Sequence, residues 1–180
     1  RNIHRFGLTK TSMTEQHFHI PPVSVKDNGE PRRVGFELEF TGLTLDQAMH
    51  ALRSVLDGEL TVISRLQQEL AVEHVGTFII ELDWDFLKRK ALELQQKNKD
   101  AEWIDLVEQV VYSSQLIPVE LICPPIPIDQ IELLQPVVKA LREAGAIGTA
   151  DSPLAAFGVH INAEIPNLNP DYILRYLQAF

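Results

Sequence analysis

The stretch Arg33-Val34-Gly35-Phe36-Glu37-Leu38-Glu39-Phe40-Thr41 alternates strictly between apolar and non-apolar residues. Strand side chains repeat every two residues, so Val34, Phe36, Leu38 and Phe40 point one way and Gly35, Glu37, Glu39 and Thr41 the other. One face can pack on a core. The other carries two carboxylates about 7 Å apart along the strand, from the rise per residue. Like charges at that spacing repel unless a cation lies between them or water bathes them. The pair therefore reads either as half of a cation site or as a solvated edge strand, and the remaining residues must decide.

The same pattern returns further along. Ile117 to Cys123 predicts a short strand with Val119 and Leu121 on one face and Glu120 and Ile122 on the other, closed by Pro124-Pro125 because proline cannot continue a ladder. Phe157 to Ala163 predicts a third, with Phe157, Val159 and Ile161 facing the core and Gly158, His160 and Asn162 facing away. Between these lie a capped helix near 45–57, with Thr44 and Gln47 as a capping box and Gly58 as its stop. Leu60 to Ile63, Leu70 to Val75 and Thr77 to Asp83 are β-like, and Phe78, Ile80 and Leu82 oppose Ile79, Glu81 and Asp83. Helices follow from Phe86, capped by Asp85, and from Asp100. Another runs over 129–145 with Pro136 splitting it or starting its main part, and a last one follows Asn169-Pro170. Residues 1–32 are polar and rich in turn formers, and read as a tail or loop in which His17 and His19 are solvated. Half-polar alternating strands argue for an antiparallel or mixed sheet with one open face and helices on the other, an α+β architecture.

Composition narrows the function classes. The 180 residues are 45% hydrophobic and 23% charged, which is the globular range. A net charge of −9 argues against a nucleic-acid or anionic-membrane surface. The single cysteine, Cys123, excludes an internal disulfide and suits a reducing, cytoplasmic setting. It falls on the apolar side of its strand and reads as inert core, and Trp84 and Trp103 read as packing residues. No apolar run reaches membrane-spanning length. The apolar side of the last helix, Tyr172, Ile173, Tyr176, Leu177 and Phe180, leads us to expect a longer parent chain, truncated at Phe180.

Glu37, Glu39, Glu120, His160 and Asn162 thus share one property: each lies opposite an apolar strand face and can ligate a hard cation. Oxygen donors with one imidazole and no thiolate pair favour Mg²⁺ or Mn²⁺ over structural zinc. Mg²⁺ held by few carboxylates keeps positions for water and phosphates, which points to nucleotide chemistry. Gly35 and Gly158 each precede a proposed ligand by two residues on the same face, which suggests close approach by a ligand or backbone, or else a bulge.

Arg33 to Phe40 (RVGFELEF), Val119 to Pro125 (VELICPP) and Phe157 to Glu164 (FGVHINAE) resemble, in this order, the motifs of the amidoligase branch of the carboxylate–amine ligases. That branch is similar to glutamate–cysteine ligase and, more distantly, glutamine synthetase. Gly76 to Asp83 and Ala144 to Thr149 look like the same branch. The resemblance implies a curved, mainly antiparallel sheet with helices on its outer face, spanning residues 33–180 as the N-terminal part of a ligase-like catalytic domain. It implies Mg²⁺ or Mn²⁺, ATP as co-substrate, and a carboxylate and an amine joined through an acyl phosphate. Glu37, Glu39, Glu120 and His160 match the metal ligands, with Asn162, Gly35 and Gly158 beside substrate or nucleotide, and Asp83 or Asp85 in the place of a metal-site aspartate. Further site residues of such enzymes come from beyond the position of Phe180, so residues 1–180 alone are expected to be inactive. A metal-dependent hydrolase and a non-catalytic nucleotide- or partner-binding module are the alternatives.

Overall fold

The computed structural model describes residues 18–83, 117–148 and 158–179, and a few helical positions between 86 and 96. Its pivot is β1 (Arg33–Phe40), which is hydrogen-bonded along both edges. Leu38 pairs with Leu121 of β5 (Val119–Ile122) on one side and with Val159 of β7 (Val159–Ala163) on the other. Beyond β5 the sheet continues through β4 (Gly76–Leu82) and β3 (Gln67–Val72) to β2 (Glu59–Ser64). Pro124 and Pro125 interrupt the β5 edge, and pairing resumes with the two residues of β6 (Ile126–Pro127), opposite Val34 and Arg33. Every pairing among these seven strands is antiparallel. The strand expected over 117–123 is shorter, because Pro118 supplies a carbonyl to Asp83 but has no N–H to give a ladder.

The apolar face of the central strands carries the core. Phe78, Ile80, Val119, Leu121 and Leu70 are fully buried there. Over β3 and β4 lies α1 (Leu45–Arg53), whose Leu45, Ala48, Met49 and Leu52 are buried at helical spacing, and α2 (Gln135–Ala144) packs on α1. The Thr44–Gln47 capping box forms in both directions. The helix ends at Arg53 rather than near 57, where the Ser54 hydroxyl donates to the Ala51 carbonyl. A 3-10 turn (Ile131–Leu134) leads into α2, whose second residue is Pro136, and left-handed Gly145 closes it.

The edge differs from the expected pattern. Val159 and Ile161 do lie on the core side of the sheet, yet they are 56% and 62% exposed. The reason is position: among the described residues β7 is the outermost strand on its side, and α1 packs over β3 and β4 in the other half of the sheet. α3 (Pro170–Ala179) likewise buries none of its residues. Phe157, Phe180, Thr149, Trp84, Trp103, His17, Asp85 and the helix expected after Asp100 lie outside the described residues. Phe86 is helical as expected, and the Asp83 carboxylate accepts its N–H at 3.0 Å.

The turn from β1 to α1 depends on Gly42. Its φ is +86°, and a Cβ there would lie 2.6 Å from the Gly145 carbonyl oxygen. Gly42→Ala should therefore lose roughly 1–3 kcal/mol, from left-handed strain and the clash together. Gly148→Ala, with nothing within 4 Å of the added Cβ, should stay within about 0.5 kcal/mol of wild type. Urea melts of the two variants check this, and equal stabilities would refute it.

Candidate metal centre

The register of the sheet sets the polar face. Residues directly paired across an antiparallel ladder share a face. Glu39 pairs with Glu120, and Glu120 pairs with Glu81 on its other side, so β1, β5 and β4 carry three glutamates in one transverse row. In the adjacent row Glu37 pairs with His160, and beyond it Gly35 pairs with Asn162. On β1, β5 and β4 these side chains stand opposite the apolar residues that face the core.

The side chains of two rows meet. One donor atom each from Glu37, Glu120 and His160 lie within 4.8 Å of one another. His160 Nδ1 is 3.1 Å from Glu37 Oε2, and the Asn162 amide donates to Glu37 Oε1 at 2.8 Å. The site opens to solvent, with His160 68% exposed and Glu37 31% exposed at their side chains. Burial, and then the charges of Glu37, Glu81, Asp83 and Glu39, push the Glu120 carboxyl above its ordinary range.

A divalent cation suits this donor set. Oxygen ligands on one Mg²⁺ lie about 3–4 Å apart, from bond lengths near 2 Å in an octahedron. The three donors, within 4.8 Å of one another, could hold such an ion, and the repulsion felt by Glu120 is the kind that a cation relieves. Soft metals find no thiolate here. Cys123 is buried on the opposite face, and burial pushes its thiol up to about 12.

Of the expected site residues, Glu37, Glu120 and His160 converge, and Asn162 is tied to Glu37. Glu39 is in the glutamate row but outside the three-donor group. Asp83 is near enough to Glu120 to raise its pKa while capping the turn at Phe86. The expectation of close backbone approach at the two glycines is corrected. A Cβ at Gly35 would meet the Asn162 Cβ at 3.8 Å and its carbonyl oxygen at 4.0 Å, both ordinary contacts, and one at Gly158 would meet nothing within 4 Å among the described residues. Gly35 sits in regular register with Asn162, so no bulge explains it either. Glu81 went unassigned from sequence although it lies on the polar side of its alternating strand. Only the register, which places it beside Glu120, reveals it.

Glu120 gives the site a pH signature. Its carboxyl has an ordinary value of 4.5 and a higher one in the fold. The stability it contributes is complete below the ordinary value and is lost as pH rises through the folded one. Glu120→Gln should thus be more stable than wild type at neutral pH, by less than about 1 kcal/mol given solvent screening. The advantage should disappear at pH 4. Urea melts at both pH values test this, and a variant less stable at neutral pH would give Glu120 a structural role instead.

Compared with known proteins, no curated protein and no solved structure matches this sequence. Residues 30–180, by contrast, match the family described as "Putative amidoligase enzyme". That match takes in all seven strands and every residue of the polar rows just described. The chain belongs to the amidoligase family.

Proposed function

We propose that the chain is the cation-binding part of an ATP-dependent carboxylate–amine ligase, on a catalytic fold of the glutamine synthetase and glutamate–cysteine ligase type. The observation that carries the reading is the convergence of Glu37, Glu120 and His160 on the open face of the sheet, within a family of amide-forming enzymes. A carboxylate is a poor acyl donor. In the proposed reaction one of its oxygens takes the γ-phosphoryl group of ATP and ADP leaves. The amine then attacks the acyl carbon, the C–N bond forms, the C–O bond to phosphate breaks, and the amine gives up a proton.

Glu37, Glu120 and His160 would hold Mg²⁺ or Mn²⁺, with Glu39 beside them. The bound cation would supply charge neutralisation for the phosphates. Asn162 orients Glu37 by donating to its Oε1, leaving the carboxylate plane fixed between β1 and β7. Nucleotide and substrates would approach from the solvent-exposed side of His160 and Glu37, while the apolar face of β3 and β4 is packed against α1.

Hydroxylamine in place of the amine traps an acyl phosphate as a hydroxamate. The native protein that carries this chain should form hydroxamate from a suitable carboxylate only with ATP and Mg²⁺ or Mn²⁺ present. Glu37→Gln should reduce the rate by about 100-fold or more, as expected when charge stabilisation is lost. ADP release that ignores both carboxylate and amine would refute the ligase reading and favour hydrolysis.

A further inference from the structure

Arg32 is 3% exposed, although arginine is rarely buried without a carboxylate to pair with. It directly precedes β1, and its even position puts it on the apolar side with Val34. Burying a guanidinium costs several kcal/mol unless hydrogen bonds compensate, so the partners it finds there matter. Nε and Nη2 both donate to the Glu164 carbonyl, at 2.8 and 2.6 Å. Nη2 also donates to the Tyr176 hydroxyl at 2.6 Å, and Nη1 to the Val23 carbonyl at 2.5 Å. One side chain thus joins the segment before β1, the residue that follows β7, and α3.

Glu164 is held a second way. Its own carboxylate accepts the Arg33 N–H at 2.7 Å, its N–H donates to the Arg33 carbonyl at 2.9 Å, and Lys26 lies 3.5 Å from its other oxygen. This clamp sits two residues beyond Asn162 and four beyond His160. The strand between needs it. Among the described residues β7 pairs only with β1, and its core-side residues Val159 and Ile161 are largely exposed. Among the described residues β7 is held by its ladder with β1, by the bonds of His160 and Asn162 to Glu37, and at its end by the clamp at Glu164.

We infer that Arg32 is a positioning residue for the cation site: by fixing the end of β7 it holds His160 and Asn162 in register with Glu37. The inference rests on reading that face as a cation site. Arg32 touches neither Glu37 nor His160, so it acts only through the strand.

Hydrogen exchange and Mn²⁺ binding test it on the native protein. In Arg32→Gln, the amides of residues 159–163 should exchange faster while those of β3 and β4 keep their protection. Mn²⁺ affinity, measured by calorimetry on the folded variant, should fall by about 10-fold, the usual loss when an outer support of a metal site is removed. In a His160→Ala/Asn162→Ala background the same substitution should change Mn²⁺ affinity no further. Arg32→Lys, which keeps a donor and the charge but not the fork on Glu164, should show smaller changes of the same kind, and it carries the test if the glutamine variant does not fold. Unchanged protection of β7 would overturn the inference. So would equal loss of protection across the sheet, or an undiminished Mn²⁺ effect in the double-alanine background. A wild-type protein that binds no Mn²⁺, or a Glu37→Gln variant that binds it equally well, would overturn the cation reading itself. The two failures are distinguishable because the exchange comparison requires no metal.

Discussion

The backbone ladder that fixes Glu39, Glu120 and Glu81 in one row is the constraint on which the rest depends. Neighbouring strands lie about 4.8 Å apart, so the carboxylates cannot separate far without leaving the sheet. A pair of charges at about 4 Å costs roughly 1 kcal/mol in water and several times that near a protein surface. The fold bears this because the opposite face is fully committed. Phe78, Ile80, Val119 and Leu121 are buried beneath the row, and each large apolar side chain contributes about 1.5–3 kcal/mol by leaving water. Burial exceeds repulsion, so the acidic face persists, and the Glu120 carboxyl is raised first by its own partial burial and then by the neighbouring carboxylates.

The two sides of β1 differ in how firmly they hold their site residues. On the β5 side, β5 and β4 bury their core-side residues, α1 packs on β4, and the two strands carry Glu120 and Glu81. On the β7 side, His160 and Asn162 come from a strand every residue of which is exposed. The centre is therefore assembled from a rigid acidic half and a half held by a ladder and a polar clamp. Local stability follows buried apolar contact, so the second half is the one expected to open first. A buried arginine at its end is then intelligible: it replaces, with hydrogen bonds to carbonyls and a phenol, the hydrophobic packing that β7 lacks.

Alternation made much of this legible in the sequence. The polar sides of 33–41, 117–123 and 157–163 named the residues that gather, and the Thr44–Gln47 box and the Pro136 and Gly145 signals marked helix ends, because these depend on near neighbours alone. Pairing register does not. Nothing local in Thr77–Asp83 indicates that Glu81 stands beside Glu120. Burial of β7 was misjudged for a related reason: alternation tells which side Val159 and Ile161 face, but not whether a helix lies over that side. Arg32 was missed because a charged residue before a strand reads as solvated, whereas its partners are 9, 132 and 144 residues away.

Period-two geometry also sorts donors by chemistry. Val119 to Cys123 places the thiol of Cys123 and the carboxylate of Glu120 on opposite faces, because their positions differ by an odd number. Burial keeps the thiol protonated, with its pKa pushed up to about 12, and its face is filled by core side chains. The open face presents oxygens, with a single imidazole. Shifting β5 by one residue would reverse this, bringing sulfur to the open side and turning Glu120 into the core. That register is fixed by Val119 and Leu121, whose burial a slip would forfeit. The hydrophobic core thus determines more than the stability of the sheet: by pinning register it decides which donor atoms a cation can meet.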